Sequence, residues 1–173
     1  AFGKHPGWDD HIEDLGLETE TLALAKRILY VEGVGGQIDT GAWEKLEPAR
    51  RAEAFHHLFV WQRGRQFLLG RMWSSSDGKG RTRYPMVVCA HCRNTSLAWA
   101  LQQVAPRLER VEEDCKAGHG APEVRSILDR ARAELRAALG NPAAGDDDAG
   151  ASSEALARFV ADPAMGPEQP GWV

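Results

Sequence analysis

The stretch L-F-V-W-Q-R-G-R-Q-F-L-L, residues 58–69, decides which class of fold this sequence adopts. Two short apolar runs flank a polar centre, Arg63-Gly64-Arg65, and this pattern is typical of a β-hairpin. A third run, Tyr84 to Cys89, is rich in β-branched residues and predicts another strand. Strands joined in chain order by short turns form an antiparallel meander, so the sequence predicts a sheet at its centre.

Before the hairpin, the spacing of apolar residues predicts one strand and one long helix. Residues 1–5 suit a short strand, and residues 17–31 show helical spacing. Three glycines are expected to end this helix because they adopt left-handed backbone conformations without strain. Two further short helices are predicted over residues 42–46 and 49–55. The predicted helix face is Leu17, Thr21, Leu24, Ile28 and Val31, and the terminating glycines are Gly33, Gly35 and Gly36.

Helical spacing dominates after Cys92, where apolar residues recur every three or four positions. Asn94 or Thr95 is expected to cap the first helix, and Pro106 to kink or split it. Pro122 opens a second helix after a short turn. The two helices are therefore predicted to form an antiparallel hairpin that packs on the sheet. The first apolar stripe comprises Leu97, Leu101, Val104, Leu108, Val111 and Cys115.

The predicted organisation is a single α/β domain of the α+β type over residues 1–140. Residues 1–92 contain the sheet and residues 93–140 the helical hairpin. Residues 141–153 consist of Ala, Gly, Asp, Ser, Asn and Pro, a composition typical of a flexible acidic linker. Residues 154–173 are expected to form a short helix and a tail.

Composition limits the classes of function that this chain can have. The chain has 173 residues with a net charge of −4, so a generally basic nucleic-acid-binding surface is not expected. It contains no run of about 18 apolar residues, which argues against membrane insertion. Three cysteines, an odd number, favour a reducing compartment over a disulfide framework. The expected location is the cytoplasm.

The cysteines form the most obvious candidate for metal or redox chemistry. Cys89 and Cys92 form a C-x-x-C pair, and Cys115 and His119 add two more residues that can bind zinc. One continuous helix between the two pairs would hold them about 30 Å apart, so no metal or other cofactor is the favoured expectation. The C-x-x-C pair could instead lie at a helix N-terminus, where a thiol pKa falls.

The acidic loop Asp9–Asp14 is a second candidate for chemistry. Carboxylates close in sequence repel one another, and such repulsion can raise a pKa or create a cation site. Together with Cys89 and Cys92, this loop defines an alternative hypothesis, a metal-dependent or thiol enzyme. The simpler interpretation is a solvated loop before a helix.

The segment W-S-S-S-D-G-K-G-R-T-R-Y-P-M, residues 73–86, joins two predicted strands and combines turn residues with three cations. Its glycines suit tight turns that expose backbone N–H groups able to hold an anion. Lys79, Arg81 and Arg83 could bind a phosphate or an acidic peptide. The alternative is a polar hairpin whose arginines are only solvated.

Two spaced motifs in residues 1–90 resemble the TagF family (also called ImpM), accessory proteins of bacterial type VI secretion. The family has Gly-Lys-x-Pro followed by an acidic residue, and later Ser-x-Asp-x-x-Gly-Arg followed by an aromatic residue, Pro and an aliphatic residue. This chain has one extra residue before the aromatic, and Trp8-Asp9-Asp10-His11 replaces the family's Gly-Asp-Phe. The matching residues are Gly3, Lys4, Pro6, Asp9 or Asp10, Ser75, Asp77, Gly80, Arg81, Tyr84, Pro85 and Met86.

The resemblance implies a longin-like domain, in which helices flank an antiparallel sheet. It also implies a non-enzymatic regulator that binds a protein partner, which in the family is a forkhead-associated secretion component. We therefore expect a cytoplasmic adaptor without a catalytic site. A structural subunit of a larger assembly is the remaining alternative. The expected contact surface comprises Lys4, Asp9, Asp10, Ser75, Asp77, Lys79, Arg81 and Arg83.

Overall fold

The computed structural model describes residues 1–12, 14–41, 45 and 54–140. Five antiparallel strands form one sheet in the order β2-β1-β5-β4-β3. The predicted α/β class is therefore confirmed, with a sheet meander flanked by helices. The strands are β1 (Phe2–Lys4), β2 (His11–Ile12), β3 (His56–Arg63), β4 (Gln66–Trp73) and β5 (Met86–Cys92).

The predicted meander is present as β3, β4 and β5. Arg63 pairs with Gln66, so Gly64 and Arg65 form a two-residue turn, and Gly64 has φ +60°. Trp73 pairs with Met86, so the loop of residues 74–85 closes the second hairpin.

The helices cover both faces of the sheet. On one face, Leu69, Trp73 and Val88 pack against the helices that follow β5. On the other face, Phe2 and Leu68 are covered by the first helical segment. The helices are α1 (Glu20–Ala25), a π-helix (Lys26–Gly35), α2 (Gly36–Asp39), α3 (Leu97–Gln103), α4 (Ala105–Ala117) and α5 (Ala121–Gly140).

The first helical segment departs from its prediction in length and in buried face. It continues past the expected end, through the π-helix to Asp39. A Cβ on Gly33 would lie 2.9 Å from the carbonyl oxygen of Ile28, five residues earlier, so glycine permits the π-helical turn instead of ending the helix. The wider turn rotates the predicted face, and Ile28 and Val31 are exposed.

The helical hairpin agrees with its prediction except at the first cap. The chain divides into α3 and α4 before Pro106, and α5 contains Pro122 in its first turn. Ser96, not Asn94 or Thr95, caps α3 and accepts a hydrogen bond from Trp99 N. The predicted helices over 42–46 and 49–55 fall largely outside the described residues, as do the whole linker and tail. No described helix combines the length and apolar character needed to cross a membrane.

Candidate functional site

Two loops that carry the two motifs lie side by side. The loop of residues 5–10 joins β1 to β2, and the loop of residues 74–85 joins β4 to β5. Pairing of β1 with β5 brings them together. Gly78 N donates to Trp8 O at 2.6 Å, and Lys4 N donates to Pro85 O at 3.1 Å. The acidic and basic segments of the sequence therefore meet in space.

A buried ion cluster joins the two loops, formed by Lys4, Asp77 and Arg81. Lys4 Nζ lies 2.5 Å and Arg81 Nε 2.6 Å from Asp77 Oδ2. The other carboxylate oxygen, Oδ1, accepts the backbone N–H groups of Lys79 and Arg81, each at 3.0 Å. Lys4 and Asp77 are only 3% and 2% exposed. One carboxylate therefore organises the turn and ties it to β1.

This cluster keeps Asp77 ionised. Burial by itself would raise the pKa of the carboxyl group. The hydrogen bonds from Lys4, Arg81 and Lys79 outweigh burial and hold the pKa of Asp77 well below its usual range. Asp77 therefore carries its negative charge at neutral pH, where it contacts the Lys4 and Arg81 side chains.

Arg81 extends the cluster from the buried carboxylate to the surface. Its Nη2 donates to Asp9 O at 3.0 Å and lies 3.2 Å from Asp10 Oδ1. Asp10 Oδ1 also lies 2.9 Å from His11 Nδ1. The Arg81 side chain is half exposed, so its guanidinium group fixes the acidic loop while keeping one edge at the surface.

Aromatic rings pack beside the cluster. Lys4 Nζ lies 5.5 Å from the ring centroid of Tyr84, within the range of a cation–π contact. Tyr84 contacts His11, with centroids 5.0 Å apart, and Tyr30, with centroids 5.6 Å apart. The Tyr30 hydroxyl has no hydrogen-bond partner among the described residues, and burial raises the pKa of Tyr30 far above its usual value.

The structure divides the expected contact residues into two groups. Lys4 and Asp77 are buried, which corrects the expectation that their side chains lie on a contact surface. They occupy the interior because each satisfies the other's charge. Ser75 is half-buried. The remaining residues of the set are exposed on the two loops: Asp9, Asp10, Lys79, Arg81 and Arg83.

The cysteines do not form a common site. Cys92 and Cys115 lie in the core beneath the helical hairpin, whereas Cys89 packs on the opposite face of the sheet. His119 is exposed in the turn before α5. Both Cys89 and Cys92 lie within β5, so the expected placement at a helix N-terminus is wrong. No group of three or more potential metal ligands converges in the described ranges, which include the acidic loop apart from residue 13.

Burial also makes the thiols poor nucleophiles. It raises the pKa of Cys89 to about 11 and that of Cys92 to about 12. Burial, together with the charge of Asp114, raises the pKa of Cys115 to about 12. These thiols are protonated at neutral pH, which argues against the thiol-enzyme alternative.

Sequence reasoning missed a second buried ion cluster, on the face covered by the helical hairpin. Glu112 is 2% exposed and lies 2.7 Å from Arg71 Nε and 2.6 Å from Lys116 Nζ. Burial would raise the pKa of Glu112, but the hydrogen bonds from Lys116 and Arg71 hold it below its usual value. The i, i+4 spacing of Glu112 and Lys116 indicates their ion pair in the sequence. The sequence contains no corresponding signal for the contact of Glu112 with Arg71 on β4.

His5 is a further residue that the sequence did not single out. It is 2% exposed, its Nδ1 accepts Gly7 N at 3.0 Å, and its Nε2 lies 2.8 Å from Cys115 O. Because Nδ1 is an acceptor, Nε2 carries the proton and donates to the carbonyl oxygen. This bond fixes the loop of residues 5–10 to the end of α4.

Comparison with protein families, with characterised proteins and with solved structures finds no significant match to this chain.

Proposed function

We propose that this chain is a non-catalytic cytoplasmic adaptor of the TagF type, which binds a protein partner through the loops of residues 5–10 and 74–85. The observation that carries the proposal is the Lys4–Asp77–Arg81 cluster. It joins two segments 73 positions apart, and these are the segments that resemble the family motifs.

The cluster supports a binding role because it fixes the loops before a partner arrives. A preorganised surface loses less conformational entropy on binding than two independent loops would. Replacing a buried ion pair by apolar residues often leaves a fold as stable or more stable. We therefore attribute the Lys4–Asp77 pair to the positioning of these loops.

The exposed side chains give the surface a mixed charge. Lys79 and Arg83 lie on one loop, while Asp9 and Asp10 lie on the other. Complementary charges at an interface mainly set the association rate and the choice of partner. A partner would then present both acidic and basic groups. By the family resemblance, we propose a forkhead-associated secretion component as that partner.

Isothermal titration of the purified chain with the forkhead-associated protein of the same cells tests this proposal. Lys79→Glu combined with Arg83→Glu is expected to weaken binding at least about tenfold, because both changes reverse charges on the proposed surface. The matched control is Arg65→Glu in the β3–β4 turn. That turn lies about 25 Å away along β4, at about 3.3 Å per residue.

The affinities of the variants for the forkhead-associated protein, compared with that of the unchanged chain, test the proposed surface. Arg65→Glu should bind as the unchanged chain does, and circular dichroism should show that every variant is folded. The proposal is wrong if the chain does not bind the forkhead-associated protein. It is equally wrong if the double reversal leaves affinity unchanged.

A further inference from the structure

The outer edge of β3 is unpaired in the part of the chain that the structure describes. β3 is the last strand in the sheet order and spans His56–Arg63. Natural sheets protect such an edge with charged residues, proline, bulges or a short strand. From His56 to Gln62 the strand has no proline, lysine or carboxylate, and its register with β4 is continuous. The edge is therefore able to pair with another strand.

Alternation along β3 identifies the backbone groups that face outward. The two-residue β3–β4 turn makes Arg63 and Gln66 a hydrogen-bonded pair, so the odd-numbered residues of β3 bond to β4. The hydrogen bond from Ser74 N to Phe55 O, at 2.9 Å, agrees with this alternation. The even-numbered residues therefore direct their N–H and C=O groups away from the sheet. These residues are His56, Leu58, Val60 and Gln62.

Two side chains of β3 lie back against their own hairpin and leave the backbone edge open. The Phe59 ring covers Gly70 on β4, where a Cβ would lie 2.3 Å from Phe59 Cζ. Gln62 Nε2 donates to Gly64 O at 3.2 Å, in the adjoining turn. A second strand can therefore approach the edge without displacing these contacts.

The residues on the two sides of Phe59 match one another. If two copies of β3 pair antiparallel about a twofold axis at Phe59, each cross-strand pair joins side chains of similar chemistry. One pair is apolar and lies on the face covered by the helical hairpin, and one is aromatic and lies on the α1 face. The third pair is polar and lies at the ends. The pairs are Leu58 with Val60, His57 with Trp61, and His56 with Gln62.

Neighbouring registers lack this match. With the axis at Val60, Leu58 would lie opposite Gln62. With the axis at Leu58, His56 would lie opposite Val60. Both registers place an apolar side chain against a polar one, and a shift in register changes every pair in this way. The self-matching register at Phe59 argues for a second copy of this chain as the occupant of the edge.

We propose that β3 pairs with β3 of a second copy of this chain, antiparallel and centred on Phe59, so that one sheet runs through both copies. Leu58 and Val60 exchange backbone hydrogen bonds between the copies, and His56 and Gln62 do so at the ends. The interface is isologous, so the pairing closes at two copies. This inference does not depend on the proposed function, because the loops of residues 5–10 and 74–85 take no part in the pairing of β3.

A cysteine at the axis tests the register. Phe59→Cys would place two thiols in a non-hydrogen-bonded pair with Cα atoms about 4.5 Å apart, which is within the disulfide range. Trp61→Cys is the matched control on the same face, because its two copies would lie at least about 13 Å apart. Mild oxidant should convert at least about half of Phe59→Cys into a covalent dimer, and less than about a tenth of Trp61→Cys.

Sedimentation and amide exchange of the unchanged chain test the dimer without any substitution. We expect a dimer at about 100 µM. Raising the concentration from about 1 µM to about 100 µM should slow exchange at Leu58 and Val60 at least about fivefold. Exchange at Phe59 and Trp61 should not change, because these amides already bond to β4. Val60→Pro removes an outward N–H and no bond to β4, so this variant should be monomeric.

The outcomes separate the possible occupants of the edge. A monomer at about 100 µM would overturn the proposal, as would a dimer in which the two cysteine variants cross-link equally. Slow exchange at Leu58 and Val60 in a dilute monomer would show that another segment of the chain pairs with this edge, and would also overturn it. Circular dichroism identifies any variant that is not folded, and sedimentation and exchange of the unchanged chain then decide.

Discussion

At the scale of single residues, Asp77 is the group on which the most contacts of the candidate site converge. Its two oxygens accept hydrogen bonds from Lys4, Lys79 and Arg81. A neutral side chain at this position would leave the Lys4 ammonium group buried without a counter-charge. The conformation of the 74–85 loop and its contact with β1 therefore depend on one ionised carboxylate.

Asp77→Asn is expected to lower the free energy of unfolding at neutral pH. It should also reduce the change of that free energy as the pH falls into the acid range. The unfolded carboxyl group has a pKa of about 3.9, and the folded one is lower, so the unfolded state binds more protons between the two values. The stabilisation from Asp77 is thus present above the unfolded pKa and is lost as the pH falls. Urea unfolding between about pH 5 and pH 2 measures it.

The control for this measurement is Asp129→Asn, which removes an exposed carboxylate of α5. It should retain the acid dependence of the unchanged chain. A steep acid dependence that persists in Asp77→Asn would show that the buried cluster does not depend on ionised Asp77.

Gly3 supports the same contact through its backbone, and Gly3→Ala is expected to cost more than about 4 kcal/mol of unfolding free energy. Its φ is +112°, and a Cβ there would lie 2.1 Å from Pro85 O. Gly64 also has positive φ, but its Cβ would have nothing within 4 Å. Gly64→Ala should therefore cost only about 1–2 kcal/mol. Equal losses for the two variants in thermal unfolding would contradict the close approach of β1 to the loop.

The sequence predicted that Lys4 and Asp77 belong to the candidate site, but it did not predict that both are buried. Their motifs marked them as unusual, but a charged residue in a single sequence is most simply assigned to the surface, since few are fully buried. No local pattern shows that two charges 73 positions apart neutralise each other. Each of these charges is buried because the other neutralises it. Their pairing could be recognised only in the folded chain, where β1 pairs with β5.

At the scale of secondary-structure elements, local chemistry explains which predictions succeeded. The Gly64-Arg65 turn and the break before Pro106 are each set by a few neighbouring residues. The π-helix Lys26–Gly35 was not predictable in this way. Its glycines are compatible with either a helix end or a widened helical turn. The chain adopts the widened turn, in which Tyr30 packs against the sheet.

The strand β5 gives a prediction about cysteine chemistry. Cys89 and Cys92 are three residues apart, so their Cα atoms are separated by about 10 Å along the strand. This distance exceeds the Cα–Cα limit of roughly 7 Å for a disulfide. The two side chains also lie on opposite faces of the sheet. Mild oxidant should therefore not join them. In the folded chain at pH 8, iodoacetamide should modify less than about a tenth of these thiols, since their raised pKa values keep them protonated.

Mass spectrometry before and after unfolding in guanidinium checks both statements, because all three thiols should react once the chain is unfolded. Rapid stoichiometric alkylation of Cys89 in the folded chain would contradict its raised pKa and favour the thiol-enzyme alternative.

At the scale of the whole molecule, β5 connects two separate regions of interest. Its first residues follow the 74–85 loop and the buried ion cluster, while its last residues border a cavity of about 400 Å³ beside α5. The helical hairpin contacts both regions, since His5 bonds to Cys115 O and α5 lines the cavity. The fold class was predictable because the periodicity of apolar residues indicates which segments form helices and which form strands. The joining of distant loops was not, because it depends on tertiary pairing.

The proposal that residues 5–10 and 74–85 form one partner-binding surface is tested by amide hydrogen exchange of the chain, alone and with the forkhead-associated protein. Slower exchange is expected in both loops together, with unchanged exchange in the β3–β4 turn. Protection confined to other regions, or in only one of the two loops, would contradict it.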